Sequence, residues 1–341
     1  MRNGCIIVVM LLPGLAMGQS ADPDRKAAEL ITPRTDQAVE RGLRWLAGQQ
    51  QEDGSLGSGV YRGNVAVASL GGMAWISGGS TPERGPHGRA IDRTIAYLLA
   101  KTQHSGFIVE RAGASHGPMY GHGFSTMFLA DCYGMSNRPE LRAKLAAAVK
   151  LIVNSQNKEG GWRYQPQPAD ADISVTVCQI MALRAARNAG LYVPNETVDR
   201  CLDYVRRCQN PDGGFMYMAL AGGDSLFPRS AAGVVALQSA GVYKGPEIDK
   251  GIEYLLRFTP EPGASRQDAY YFYGHYYAVQ AMWHVGGEAW SRWYPAIREE
   301  LVAQQNPDGS WPTTSINREY ATAMALIVLQ APNNYLPIFQ R

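Results

Sequence analysis

A segment that opens with glutamine recurs along the chain and constrains the fold more than any other feature. Its glutamines stand at positions 50, 103, 156 and 209, which are 53 residues apart, and again at 305. The fullest copies continue with an acidic residue, glycine and an aromatic residue, as from Gln156 to Trp162. The gap of 96 residues before Gln305 leaves room for one more unit, whose segment has lost its glutamine near Arg257 to Thr259. A fixed interval of this kind indicates repeated structural units, and six are predicted.

Each unit combines two kinds of helical pattern. Ahead of the glutamine, apolar residues recur on one helical face, as at Leu145, Val149 and Ile152. The second pattern carries no charged residue and is rich in glycine and alanine, in residues 63–82, 230–243 and 320–340. Helices that are apolar on all sides are buried, and glycine and serine interrupt these runs too often for a membrane span. We therefore predict an all-α protein, an α6–α6 toroid in which an outer ring of six helices surrounds an inner ring of six.

The first twenty residues differ from the rest of the chain. Arg2 is the only charged residue before Asp22, and the apolar run from Ile6 to Leu12 is followed by small residues that include Ala16. This order is typical of a secretory signal peptide. We expect residues 1–20 to be a signal peptide, residues 21–341 to form a single toroid domain, and the protein to be secreted or periplasmic.

The charge balance and the cysteine residues indicate which partners, metals and disulfides are to be expected. The chain has 32 basic and 30 acidic residues, so no strong electrostatic field directs it to nucleic acid, and no nucleic-acid partner is expected. Beyond the leader, each cysteine lies in an apolar helical pattern, which predicts small buried side chains rather than disulfides. No Cys/His pair has the spacing of a zinc site, and neither a metal nor a cofactor is predicted. These cysteines are Cys132, Cys178, Cys201 and Cys208.

The recurring Gln…Asp-Gly…Trp segments resemble the QW repeats of squalene and oxidosqualene cyclases and of protein prenyltransferase β subunits. Through the strings Gly121–Phe124, Gly160–Tyr164 and Asp170–Thr176, the chain looks most similar to uncharacterised exported single-toroid bacterial members of this terpenoid cyclase and prenyltransferase superfamily. The resemblance implies an α6–α6 toroid of six helical hairpins. It does not fix a function, because the same ring serves catalysts, carrier scaffolds and complement-like proteins.

The resemblance also implies a candidate acid. Squalene–hopene cyclases protonate an alkene with the middle carboxylic acid of an Asp-x-Asp-Asp-Thr-Ala string at the start of an inner helix. In the corresponding string Asp172 matches the proton donor and Asp170 its neighbour, while Ile173 replaces the third carboxylate. An alkene is protonated only by an un-ionised acid, which needs burial and a supporting partner. The alternative is that Asp172 caps the helix that begins at Ile173. In addition, those cyclases bury their substrate between two toroids, and this chain is long enough for one.

The zinc site of protein prenyltransferases does not carry over. Alignment on Gln280 puts Tyr273 and His275 where those enzymes have Asp and Cys. His116 and His122 lie six residues apart in a glycine-containing loop, and two imidazoles without a carboxylate or thiolate are a weak metal signal. We interpret both histidines as loop residues or as ligand contacts.

In a ring of hairpins, all the loops that enter inner helices meet at one mouth. These loops bring aromatic and charged side chains above an apolar cavity, which is typical of a small-molecule site. The alternative is that opposite charges pair with each other, which explains the clustered tyrosines less well. The predicted ligand contacts are His116, Tyr120, His122, Phe124, Arg163, Tyr164, Arg229, Tyr270, Tyr271, Arg318, Glu319 and Tyr320.

The leading hypothesis for function is an exported toroid that binds an apolar or isoprenoid-like small molecule in its central cavity, with catalysis left open. One alternative is an acid-initiated cyclase or isomerase that uses Asp172, with aromatic faces stabilising a carbocation. Further alternatives are an interaction scaffold or a glycan-active enzyme. The oligomeric state stays undetermined at this stage.

Overall fold

In a computed structural model, residues 30–110, 117–261, 270–313 and 316–340 are described, and the predicted signal peptide and His116 lie outside these ranges. Within them the chain forms α-helices and short 3-10 turns, without a β-strand. None of these helices is both long and apolar enough to span a membrane. The helices are α1 Pro33–Gln49, α2 Val65–Ser77, α3 Gly88–Lys101, α4 Pro118–Tyr133, α5 Leu141–Ser155, α6 Ile173–Asn188, α7 Asn195–Arg207, α8 Phe227–Ser239, α9 Pro246–Leu256, α10 Tyr271–Val285, α11 Gly287–Gln304 and α12 Arg318–Leu329.

The even-numbered helices form a closed inner ring. Each contacts its two even-numbered neighbours, and α12 returns to contact α2. The odd-numbered helices lie outside, each against inner helices. Close approach within the ring depends on small residues, since a Cβ atom on Gly72 of α2 would lie 2.3 Å from the ring of Phe128 of α4. The predicted α6–α6 toroid of six hairpins is confirmed.

The repeated glutamine joins each hairpin to the next. The side-chain amide of Gln156 donates to the carbonyl oxygens of Gly160 in its own loop and Thr197 in α7, both at 2.8 Å. Gln50, Gln209 and Gln305 make the same pair of bonds to their own loop and to the next outer helix. For Gln305 the next outer helix is α1, where Ala38 accepts at 2.8 Å, so the same contact closes the ring.

The glycine of the repeated loop lies against the backbone of the next outer helix. Gly160 has φ +100°, and a Cβ atom there would lie 2.0 Å from the carbonyl oxygen of Arg200. The aromatic residue that follows turns back onto its own hairpin, because the indole N–H of Trp162 donates to the Ile152 carbonyl at 2.7 Å. Trp311 makes the equivalent bond to Leu301 at 2.8 Å. The repeat is therefore a set of hydrogen-bonded joints between hairpins.

The C-terminal segment covers the end of the ring where the inner helices finish. The charge-free stretch predicted as helix to residue 340 leaves the helix after Leu329, because prolines at 332 and 337 lack the N–H groups that a helix needs. The 3-10 turns Ala331–Asn333 and Pro337–Phe339 replace it. Trp283 and His284 of α10 bond to the carbonyls of Phe339 and Ile338 at 2.7 and 2.9 Å. We call this side the closed end and the opposite side the mouth.

The four cysteines within the described ranges are buried and unbridged, as expected for small core residues. All four are buried, and Cys208 directly follows the last residue of α7. The Cys178 sulfur also lies 3.2 Å from the Tyr277 hydroxyl. Burial raises the pKa of the Cys178 thiol to about 12, so this thiol stays un-ionised at neutral pH. Their role in the described structure is packing.

Candidate functional site

A cavity of about 580 Å³ opens at the mouth, inside the inner ring. Small-molecule sites generally have volumes of about 300–1,000 Å³. Among the described residues that line it, Arg229 is the only one with a charged side chain. Apart from Asn64 and Ser174, the other described lining residues are apolar or aromatic, and the tyrosines among them carry hydroxyl groups. The aromatic lining consists of Tyr61, Tyr120, Phe124, Tyr164, Tyr217, Tyr270, Phe272, Tyr273 and Tyr320.

Half of the predicted ligand contacts line this cavity. Because the inner helices all begin at the mouth, several residues in or before their first two turns face the same volume. Phe124 is almost fully buried and packs edge-on against Tyr276 below the cavity. Tyr270 is 64% exposed at the rim. The predicted residues that line the cavity are Tyr120, Phe124, Tyr164, Arg229, Tyr270 and Tyr320.

His122 does not face the cavity, which corrects its predicted placement. It is fully buried, with Nδ1 accepting the Ile108 amide at 3.2 Å and Nε2 lying 3.2 Å from the Ala148 carbonyl. Burial lowers the pKa of His122 to about 4, so the ring is neutral at physiological pH. Both ring nitrogens hold backbone groups of neighbouring hairpins together, which explains the burial of a polar side chain.

Tyr271, Arg318 and Glu319 do not line the cavity either. The Tyr271 hydroxyl accepts from Gln304 at 3.3 Å, between an inner and an outer helix. Arg318 pairs with Asp308 in the repeated loop. Glu319 is buried and accepts the Ser58 hydroxyl at 2.9 Å. For Arg318, the alternative that opposite charges pair with each other is confirmed.

Arg163 lies behind the lining, in a cluster with the two candidate acids. Its guanidinium group is 3.1 Å from the Asp170 carboxylate and 3.5 Å from that of Asp172. The same group stacks 4.8 Å from the ring centre of Tyr164 and 5.6 Å from that of Tyr217. Arg163 therefore contacts two carboxylates and two aromatic faces, and both tyrosines line the cavity whereas Arg163 does not.

Asp172 is the N-cap of α6, as one of the two interpretations predicted. It is fully buried, and its Oδ1 accepts the Val175 amide at 2.9 Å and the Ser174 hydroxyl at 2.5 Å. Burial raises the pKa of Asp172, while the bonds from Ser174 and Val175 and the charge of Arg163 act in the opposite direction. Neither Asp170 nor Asp172 is among the cavity-lining residues.

Hydroxyl groups connect the buried Asp172 to one side of the cavity. The Tyr120 hydroxyl lies 2.6 Å from that of Ser174, which bonds to Asp172. The Tyr273 hydroxyl donates to the Ser174 carbonyl at 3.3 Å. We call this side the hydroxyl wall, formed by Tyr120, Tyr164, Ser174, Tyr217 and Tyr273, all of which line the cavity.

Sequence reasoning missed Tyr217, Ser174 and Tyr273 as lining residues. Tyr217 lies 53 residues after Tyr164, which is the interval of the repeat, and the two hydroxyls are 2.6 Å apart. The repeat interval was therefore a signal that pointed to Tyr217. For Ser174 and Tyr273 no comparable signal exists, because they lie in helices that are buried on nearly all sides.

The described part of the chain offers no group of three or more His, Cys, Asp or Glu side chains placed to hold a metal ion. Instead, the site joins an aromatic volume, one rim cation and a buried carboxylate. Such an arrangement can enclose an apolar molecule and hydrogen-bond to it.

Fold and site together define an α/α toroid with a ligand-sized cavity at the mouth. Residues 27–256 match the Prenyltransferase alpha-alpha toroid domain, and the chain belongs to this family. Drimenyl diphosphate synthase of Streptantibioticus cattleyicolor is 29% identical over 133 residues, which are 38% of this chain and 23% of that protein. The chain thus matches less than a quarter of that relative.

Solved structures share the fold at low sequence identity. The type II terpene cyclase MstE from Scytonema superposes with a TM-score of 0.62 at 15% identity, over 89% of this chain and 99% of MstE. A glycosidase variant in complex with glucose superposes with a TM-score of 0.64 at 12% identity, over 94% of this chain and all of that one. Because one ring carries such different chemistry, these likenesses establish the architecture and not the reaction.

Proposed function

We propose that this protein binds an apolar, isoprenoid-like molecule in the cavity at its mouth. The observation that carries the proposal is the cavity itself, about 580 Å³ enclosed by a closed ring and lined mainly by aromatic side chains. Burial of apolar ligand surface against such walls supplies the main driving force. An MstE variant has been solved with its substrate geranylgeranyl dihydroxybenzoate, so a toroid of this fold accommodates an isoprenoid chain.

We also propose that the protein acts outside the cytoplasm. The support is the pattern of residues 1–20, with one early charge, a short apolar run and small residues after it. Fractionation of the native host with an antibody against the toroid tests this point. Recovery of the unprocessed chain from the cytoplasm alone would contradict it.

The binding proposal is tested by filling the cavity. Ala66 lines it, whereas Ala143 is exposed on α5, so Ala66→Phe and Ala143→Phe add the same group in two environments. With geranylgeraniol as the probe, isothermal titration calorimetry should show at least about tenfold weaker binding for Ala66→Phe, since the added ring occupies ligand space. Ala143→Phe should match the natural protein. Equal binding by both variants would place the ligand elsewhere.

An acid-initiated cyclase or isomerase is a second candidate, favoured by one observation. Asp172 is fully buried, yet it accepts the hydroxyl of Ser174, which lines the cavity. In such a reaction an alkene takes up a proton and a neighbouring carbon later loses one, so the product keeps the mass of the substrate. Burial raises the pKa of Asp172 and so favours the acid, whereas the capping bonds and Arg163 favour the ionised carboxylate, which cannot donate a proton.

Mass spectrometry separates the two candidates. Incubation with geranylgeraniol should return it unchanged if the protein only binds. A cyclised isomer that the natural protein forms, and that Asp172→Asn no longer forms while still binding the probe, would establish the enzyme instead. Asparagine keeps an oxygen that can cap Val175, so lost turnover would report on the acid and not on the helix.

A glycan-active enzyme gains less support, although a glycosidase shares the fold. Glycoside hydrolysis generally needs two carboxyl groups that flank the scissile bond. The described residues lining this cavity include none.

A further inference from the structure

The direction of the hydrogen bonds in the hydroxyl wall determines what a ligand must offer. The chain of bonds starts at Asp172, whose Oδ1 accepts both the Val175 amide and the Ser174 hydroxyl. A carboxylate has only acceptors, and the neighbouring Arg163 at 3.5 Å from Oδ2 stabilises that charge. The hydrogen of Ser174 is therefore directed inward, toward Asp172.

The direction of the bond from Ser174 to Asp172 determines which group donates in the bond between Ser174 and Tyr120. Ser174 has one hydroxyl hydrogen, which is used on Asp172, so the 2.6 Å contact with Tyr120 is made by the phenol hydrogen of Tyr120. Tyr273 likewise directs its hydroxyl hydrogen to the Ser174 carbonyl at 3.3 Å. Two phenols that line the cavity thus have their only hydrogens engaged within the wall.

We infer that the cavity selects an apolar ligand that carries a hydroxyl group, whose hydrogen is accepted by the phenol oxygen of Tyr120 or of Tyr273. With their hydrogens engaged, both phenol oxygens offer only lone pairs to the ligand, as an alcohol requires. An ether has no hydrogen to offer, and a phosphate would bring negative charge toward lone pairs and a buried carboxylate. This inference rests on the proposed binding function and specifies its ligand class.

The alternative is that Arg229 selects a ligand with an anionic head group. It lies in the first turn of α8, lines the same cavity, and bonds to the Asp224 carbonyl. A head group held by this cation would be anionic. The test must therefore include an anionic probe alongside the neutral ones.

Three probes with one isoprenoid tail test the inference on the full chain: geranylgeraniol, its methyl ether and geranylgeranyl monophosphate. Calorimetry should show the alcohol binding about 3- to 10-fold more tightly than the ether, the range expected for a neutral hydrogen bond, and more tightly than the phosphate. Tyr120→Phe should reduce this preference by weakening alcohol binding. Ser174→Ala should reduce it by releasing the Tyr120 hydrogen toward the cavity, where it can donate to the ether.

Tyr192→Phe is the matched control, because it removes the hydroxyl of a tyrosine that is 85% exposed and does not line the cavity. It should leave the ratio of alcohol to ether affinity unchanged. Equal affinities for alcohol and ether in the natural protein would overturn the inference and leave the binding function intact. Tighter binding of the phosphate would overturn it in favour of Arg229. Absence of binding by all three probes would overturn both proposals.

Discussion

The two ends of the ring differ, although the same six inner helices form both. At the mouth, aromatic side chains surround about 580 Å³ of open space. At the closed end, the space left between Met181, His284 and Ile338 is about 10 Å³, which is at most enough for one water molecule. The C-terminal segment makes this difference by packing Phe339 and Ile338 against α10.

The comparison shows that the repeat specifies the ring of hairpins but not the residues that fill or line its central hole. The joints made by the repeated glutamines build a ring with a hole along its axis. The hole is filled at one end by the C-terminal segment and lined at the other by the hydroxyl wall, and within that wall only Tyr164 and Tyr217 are one repeat interval apart. Stability should therefore depend on the closed end and the joints, and ligand binding on the mouth.

The largest effect is expected at the closed end, for Phe339→Ala. Phe339 is 2% exposed and packs on Trp283, so its removal should lower the free energy of unfolding by about 3–5 kcal/mol. Urea denaturation measures this loss, and calorimetry should show ligand binding unchanged. The control is Tyr335→Ala, on the same segment but 58% exposed, which should cost far less. Equal losses would show that the segment does not seal the ring.

A joint between hairpins should come next. Gln156→Leu leaves the buried carbonyls of Gly160 and Thr197 without their side-chain donor, which should cost about 2 kcal/mol in urea denaturation. Gln51→Leu is the matched control, because Gln51 is exposed and its side chain donates to the Gln49 carbonyl within its own chain segment. If both variants lose the same stability, the joints are not what holds neighbouring hairpins together.

At the mouth, the capping role of Asp172 predicts a smaller loss. Asp172→Ala removes the acceptor for the Val175 amide and should cost about 1–2 kcal/mol. Asp172→Asn should cost less, since its amide oxygen can still accept from Val175. Differential scanning calorimetry compares the two variants. A loss from the asparagine variant as large as that from alanine would mean that the charge facing Arg163 matters more than the cap.

Stability should also depend on pH through Asp131, in the last turns of α4. Burial raises the pKa of Asp131 to about 8 from an ordinary value of 3.8. Between these values the folded chain binds a proton that the unfolded chain has released, so stability falls as pH rises toward 8. The slope stays below ~1.4 kcal/mol per pH unit, which is the limit for one group.

Melting temperatures between about pH 5 and pH 9 test this dependence, with Asp131→Asn as the variant. An amide does not titrate, so the variant should lose this fall and gain stability relative to the natural protein at the alkaline end. Parallel pH profiles for the two proteins would show that Asp131 is ionised in the folded state.

Much of the fold could be predicted from the sequence because its joints repeat. The interval of 53 residues, the half-apolar outer helices and the charge-free inner ones determine a ring, and Asp172 could be recognised as a cap. The turns of the C-terminal segment were not predicted, because this segment belongs to no repeat. Its prolines at 332 and 337 were the visible signs that the helix ends early.

The lining of the cavity was harder to predict for a geometric reason. Inner helices are apolar on all sides, so periodicity does not reveal which face looks inward. Tyr271 and Tyr273 lie two residues apart and therefore on nearly opposite faces of α10, and only Tyr273 lines the cavity. The predicted placement of His122 was wrong for the same reason, since its helix α4 contacts protein on almost every side.

The bond from Gln305 to Ala38 makes the last hairpin a neighbour of the first, so the order of hairpins around the ring has no natural starting point. Both ends of the described chain lie on the side where outer helices begin and inner helices finish. The turn between α6 and α7, where Tyr192 is 85% exposed, lies on that side too. A circular permutant that begins there, with the old termini tethered by a linker, keeps every joint of the ring.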